Sequence, residues 1–136
     1  DIMATVSYTV ADPSTWRARI ASAGHFAPVV AAPGEEPVLA DIAVGVPIGV
    51  ADDPPRQTTT IQLAPGAVLC QFTDGLVERR GVLIDDRLGF LCRSVSPGPP
   101  ESVCVSVMGA LVGSEPVGDD VAILVLRWQP ASARSG

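Results

Sequence analysis

The chain has 136 residues, of which 47% are hydrophobic, so it has length for one domain and ample material for a packed core. Its formal net charge is −6 and its nine basic residues are scattered arginines, which argues against a nucleic-acid backbone as partner. The longest apolar stretches, such as Val121 to Leu126, fall far short of the ~20 residues that cross a bilayer. No basic-then-apolar leader opens the sequence, so a soluble, cytoplasmic protein with no membrane partner is expected.

In chain order, Ile2, Ala4, Val6, Tyr8 and Val10 alternate with Met3, Thr5, Ser7 and Thr9, the period of a strand with one apolar face. Asp12-Pro13-Ser14 is a turn, and Trp16, Ala18 and Ile20 resume the alternation, so residues 2 to 22 read as an antiparallel hairpin. Short strands are expected at Pro28 to Ala32 and Val38 to Ile42 around the turn Pro33-Gly34-Glu35. Gln57 to Leu63 and Val68 to Phe72 read as a second hairpin around Ala64-Pro65-Gly66. After Asp74-Gly75 the spacing turns helical, over Leu76 to Arg80 and again over Asp85 to Val95. Beyond the breaker Ser96-Pro97-Gly98-Pro99-Pro100, Val103, Val107 and Leu111 mark one face of a helix over Glu101 to Val112. Val121 to Trp128 suits a central strand buried on both faces, and Gln129 to Gly136 a linker or tail. A β-meander, two or three helices and a returning strand make an α+β layered fold over residues 1 to 128.

The candidate chemistry lies in acidic turns. Asp74 leaves the strand ending at Phe72, and Asp119-Asp120 precede the final strand. If those strands are neighbours, the two carboxylates converge, and hard cations such as Mg²⁺ or Mn²⁺ are held by such oxygens. Asp-Gly is also an ordinary turn dipeptide, so the pattern by itself leaves both readings open. His25 is the only histidine, and it lies in no nucleophile context; a hydrogen-bonded histidine beside a turn is the simpler reading. Cys70, Cys92 and Cys104 show no C-x-x-C spacing and sit among apolar neighbours, as reduced core thiols do. No P-loop or G-x-G-x-x-G spacing supports nucleotide binding.

Five strings occur in order: Ala21-Ser22-Ala23-Gly24-His25, Gly45-Val46-Pro47-Ile48-Gly49, Leu63-Ala64-Pro65-Gly66, Phe72-Thr73-Asp74-Gly75-Leu76-Val77-Glu78 and Gly118-Asp119-Asp120-Val121-Ala122. Together they resemble the later half of the PPM-type (protein phosphatase 2C-like) serine/threonine phosphatases of the SpoIIE and RsbU group. The resemblance implies a β-sandwich flanked by helix layers, with a two-metal Mn²⁺ or Mg²⁺ site at one end. It makes Asp74 and Asp119 the catalytic metal ligands, with Gly75, Asp120, Gly24 and His25 as neighbours of the site. The implied substrate is a phosphorylated anti-sigma-factor antagonist, with fused sensor or anti-sigma kinase domains as companions. Ala67, Phe72 and Ala122 stand where the group usually has an acidic residue, Tyr and Thr. The group's upstream motif, Asp-Val/Met-x-Gly-His/Lys-Gly, whose Asp bridges the metals, has no match here. The chain is therefore expected to be the C-terminal portion of such a domain, without its N-terminal strands and helices and inactive by itself. The alternative expectation is a non-catalytic interaction module of a sigma-factor regulatory protein.

Overall fold

The computed structural model describes residues 2–113 and 118–130. The expected tail over 129 to 136 lies mostly outside that range. The chain divides into two compact units, one formed by the described parts of Asp1–Ala27 and Ala40–Leu63, the other by those of Pro28–Leu39 and Ala64–Gly136.

In the first unit, β1 (Val6–Asp12) and β2 (Arg17–Ala23) form the expected antiparallel hairpin. The turn between them is held by Asp12, whose Oδ1 accepts the Ser14 N–H at 2.9 Å and its hydroxyl at 2.7 Å. Those bonds favour the ionised form and keep the Asp12 carboxyl below its ordinary pKa. Trp16, read from the sequence as the start of the second strand, instead takes φ of +65° and closes the turn. The far edge of β2 is shared in succession by β6 (Thr58–Gln62), antiparallel, and by β5 (Val44–Gly45), parallel. Alternation holds along β2: Ala18 and Ile20 are fully buried, while Arg17 and Arg19 are exposed.

The second unit carries the sheet order β4-β3-β7-β8. These strands are β3 (Val29–Ala31), β4 (Val38–Leu39), β7 (Val68–Phe72) and β8 (Ile123–Arg127), all antiparallel to their neighbours. Between β7 and β8 come α1 (Ile84–Ser94) and α2 (Pro100–Leu111), which pack on each other, with α2 also against β8. Pro100 opens α2 where a missing N–H costs nothing, and Asp85 and Asp86 in the first turn of α1 oppose the positive end of its dipole. Leu91, Val95, Val103, Val107 and Leu111 turn inward, which bears out the i, i+4, i+8 reading of α2.

Four expectations are corrected. The segments 57 to 63 and 68 to 72 are not a hairpin: β6 pairs with β2 in one sheet, and β7 pairs with β3 and β8 in the other. The chain is accordingly no simple meander, because it changes sheets at Ala64-Pro65-Gly66, where Gly66 takes φ of +83° and its N–H reaches the Trp128 carbonyl at 2.9 Å. Leu76 to Arg80 is not a helix; a single 3-10 turn over Asp74–Leu76 takes its place. Among the described residues β8 is an edge strand, with Leu124 and Leu126 exposed, not a strand buried on both faces.

Cys70, Cys92 and Cys104 are free thiols, Cys70 fully buried in β7. Burial, and to a lesser extent the neighbouring Cys104 and Cys92, push the Cys70 thiol from 9.0 up to about 12. A raised folded-state pKa stabilises the fold below the unfolded value and loses that contribution as pH climbs toward the folded one. The midpoint of urea unfolding should therefore fall as pH rises from 9.0 toward 12, and a Cys70→Ala variant should lose less over that interval. Parallel losses in the two chains would show that Cys70 is not the group responsible.

Candidate functional site

In the second unit, β7 and β8 run antiparallel with Phe72 opposite Ile123. The residues that leave β7 therefore lie beside those that enter β8. Thr73 closes this end: its N–H donates to the Ala122 carbonyl at 3.0 Å, and its Oγ1 accepts the Ala122 N–H at 2.9 Å. Asp74 follows at once and heads the 3-10 turn, with its carbonyl accepting from Val77 at 3.1 Å and Glu78 at 2.9 Å. One oxygen of its carboxylate, Oδ1, is buried.

Gly75 brings the two acidic segments into contact. A Cβ at this position would run into the Asp120 carbonyl oxygen, with the Asp120 carbonyl carbon at 3.1 Å and that of Asp119 at 3.4 Å. Gly75 is buried, so the space is closed by backbone and not by a mobile side chain. The residue is needed for close approach, since its φ is not among the positive values. On the opposite segment Asp119 Oδ1 accepts the N–H of Asp120 at 2.8 Å, and both of these aspartates are exposed. The strand that Asp74 follows and the strand that Asp119 precedes are neighbours, so the two segments lie at the same end of the sheet.

Two arginines bond to main-chain carbonyls of the Asp74 turn. Arg79 Nη1 donates to the Gly75 carbonyl at 2.6 Å and to that of Glu78 at 3.0 Å. Arg87 Nη2, from α1, donates to the Leu76 carbonyl at 3.2 Å and to the Leu111 carbonyl at 2.8 Å. The sequence reading missed both. Arg79 directly follows the Asp74 to Glu78 string, but Arg87 carries no signal, because Asp85-Asp86-Arg87 reads as a solvated helix face.

Gly24 and His25 belong to the first unit. Gly24 takes φ of +70° and donates to the Gly45 carbonyl at 2.7 Å, with Pro47 occupying the space of its absent side chain. The Ser22 hydroxyl accepts the His25 N–H at 3.1 Å and donates to the His25 carbonyl at 2.7 Å, so this segment is a tightly bonded turn.

For a cation, this end of the second sheet offers carboxylate oxygens from Asp74, Asp119 and Asp120, donors that suit Mg²⁺ or Mn²⁺ in kind. Among the described residues no group of three or more His, Cys, Asp or Glu side chains is placed to hold a metal ion. Asp74 and Asp119 are oxygen donors of the kind such a shell uses, and water, carbonyls or further carboxylates would have to complete it. No helix among the described residues is long and apolar enough to cross a membrane.

Comparison with known proteins now gives this arrangement a family. The model of the Stage II sporulation protein E (SpoIIE) family matches residues 1–129, and the chain belongs to that family. Among solved structures, the RsbU and RsbW domains of a Mycobacterium tuberculosis protein superpose with a TM-score of 0.80 at 22% identity, over 93% of this chain and 37% of that one. The manganese-soaked phosphatase domain of SpoIIE from Bacillus subtilis gives 0.72 at 18% identity, over 93% and 57%. RsbX in complex with magnesium gives 0.61 at 17% identity, over 90% and 55%. The chain thus spans between about a third and three-fifths of these proteins. Its mixed sheets and two helices match the PPM phosphatase fold, α+β as expected. No curated protein sequence matches the chain.

Gly75→Ala should force the Asp119-Asp120 segment away from the turn, at a cost of about 1–3 kcal/mol for overpacking against backbone. Amide chemical shifts of Asp119, Asp120 and Ala122 should move while those of Val29 to Ala31 stay put. Unmoved shifts at Asp119 and Asp120 would mean that the two segments do not touch in solution.

Proposed function

We propose that this chain is the metal-ligand-bearing later portion of a protein serine/threonine phosphatase domain of the PPM type. The observation that carries the reading is the pairing of β7 with β8, which sets the Asp74 turn against the Asp119-Asp120 segment at one sheet end. Asp74 and Asp119 are the proposed ligands for Mn²⁺ or Mg²⁺, in support of which relatives of the same fold were crystallised with manganese or magnesium. Such ions, when bound, lower the pKa of a coordinated water and neutralise charge on a phosphoryl group, which a phosphoserine dianion needs before it can be attacked.

The chain's own residues do the holding. Asp74 contributes an anionic oxygen from a rigid turn, whereas Asp119 contributes one from an exposed segment whose backbone N–H at Asp120 orients the carboxylate. Gly75 keeps these two supports at contact distance. Because Asp74 and Asp119 are fewer ligands than a two-metal site needs, the reading assigns the bridging carboxylate to a segment outside this chain. The proposed substrate is a phosphorylated anti-sigma-factor antagonist in the cytoplasm, a reading supported by the likeness to a protein that carries RsbU and RsbW domains.

In a polypeptide joining this chain to a segment with the bridging Asp motif, phosphate release from a phosphoserine peptide should depend on Mn²⁺ or Mg²⁺. Asp74→Asn and Asp119→Asn should each lower kcat/KM by roughly a hundredfold, about 2.7 kcal/mol of transition-state stabilisation. Unchanged turnover in both variants, or turnover indifferent to chelator, would remove the assignment.

A further inference from the structure

We propose that Arg79 and Arg87 are positioning residues that fix the Asp74 carboxylate for its cation by clamping the carbonyls of the turn behind it. The proposal rests on the assignment of Asp74 as a ligand and adds what holds that ligand in place. A 3-10 turn is a weak support by itself, with tighter and less well aligned hydrogen bonds than an α-helix. Here the turn is only Asp74–Leu76, and the chain beyond it runs without helix until α1 begins at Ile84. Its carbonyls at Gly75 and Leu76 are each met by an arginine donor.

The geometry of these bonds is specific. Arg79 reaches back four residues to Gly75 at 2.6 Å, and both Arg79 and Arg87 are half-buried, so water competes with these bonds less than it would at an open surface. A single nitrogen of Arg87 joins two elements: the Leu76 carbonyl at 3.2 Å and, at 2.8 Å, the Leu111 carbonyl at the end of α2. That second carbonyl is one of the last in its helix and has no partner within it. Arg87 therefore ties α1, the C-terminus of α2 and the Asp74 turn at one point, with charge-assisted bonds that are about twice as strong as neutral ones. Because both arginines hold carbonyls of the turn, its rotation would strain the Arg79 and Arg87 bonds.

The sign of the effect separates positioning from simple charge. Loss of a nearby positive charge makes cation binding tighter by Coulomb's law, whereas loss of a support makes it weaker. In the 136-residue chain, Arg87→Met and Arg79→Met should therefore weaken Mn²⁺ binding, followed by the electron paramagnetic resonance signal of free Mn²⁺. Arg87→Lys keeps both charge and a multiple donor, and it should bind Mn²⁺ nearly as the parent does. A second readout needs no metal: the amides of Leu76, Val77 and Glu78, bonded within the turn, should exchange with solvent about tenfold faster in Arg87→Met. The amides of β3 should keep their rates.

Tighter Mn²⁺ binding in the methionine variants would overturn the proposal, as would exchange that is unchanged in both or faster throughout the unit. Arg79 lies outside the helices, so its variant decides the matter if Arg87→Met fails to fold. Should the parent bind Mn²⁺ too weakly to measure, the exchange rates decide. Asp74→Asn binding Mn²⁺ like the parent would sink the ligand assignment instead, leaving the exchange result to judge the clamp.

Discussion

The candidate site depends on one antiparallel pairing, that of β7 with β8. Antiparallel register places the exit of one strand beside the entry of the other, so residues distant in sequence share a sheet end without any long connection having to aim them. The pairing is anchored by burial on the β7 side, where Val68, Leu69, Cys70 and Phe72 are almost wholly buried. Each such side chain contributes roughly 1.5–3 kcal/mol by leaving water, far more than the ~1 kcal/mol net of a ladder hydrogen bond. The position of Asp74 is thus a by-product of core formation. Thr73 extends the ladder one residue further through its side chain, and Gly75, with no Cβ, then lets the opposite segment approach closely.

The parts of this arrangement that were legible in the sequence are those set by local spacing. Alternation in β1 and β2 gave the hairpin, and Val103, Val107 and Leu111 gave the buried face of α2, because a side chain's direction in a strand or helix follows from its neighbours. The strings around Asp74 and Asp119 were legible as a family resemblance, and the family match over residues 1–129 bears that out. Partnership was not legible. Ala64-Pro65-Gly66 has the composition of a hairpin turn, yet the strands on either side pair in different sheets, and nothing in three residues distinguishes a reversal from a crossing. For the same reason Val121 to Trp128 reads as a core strand: an apolar run has the same letters at an edge as in the middle of a sheet.

Long polar side chains are the other blind spot. Arg79 and Arg87 reach main-chain carbonyls, groups that every residue has, so no complementary residue type marks their targets. Arg87 even bears a misleading context, since the acidic pair before it is accounted for by the N-terminus of α1. Only the three-dimensional path of the chain, which returns α2 to the turn after Asp74, shows why a cation belongs at that position.

These supports bear on the proposal because any cation site built of carboxylates is electrostatically unfavourable without its guest. Two carboxylates brought to ~4 Å repel by about 1 kcal/mol in water, and by more where solvent is displaced. The core gains nothing in return from Asp119 and Asp120, which are exposed, and a turn free to relax would move its charge away from them. Thr73, Gly75, Arg79 and Arg87 tie the turn along the ladder, across the contact and through main-chain carbonyls. Rigid placement of like charges is the arrangement that a divalent cation relieves most, because a preorganised shell spends little free energy in closing on the ion.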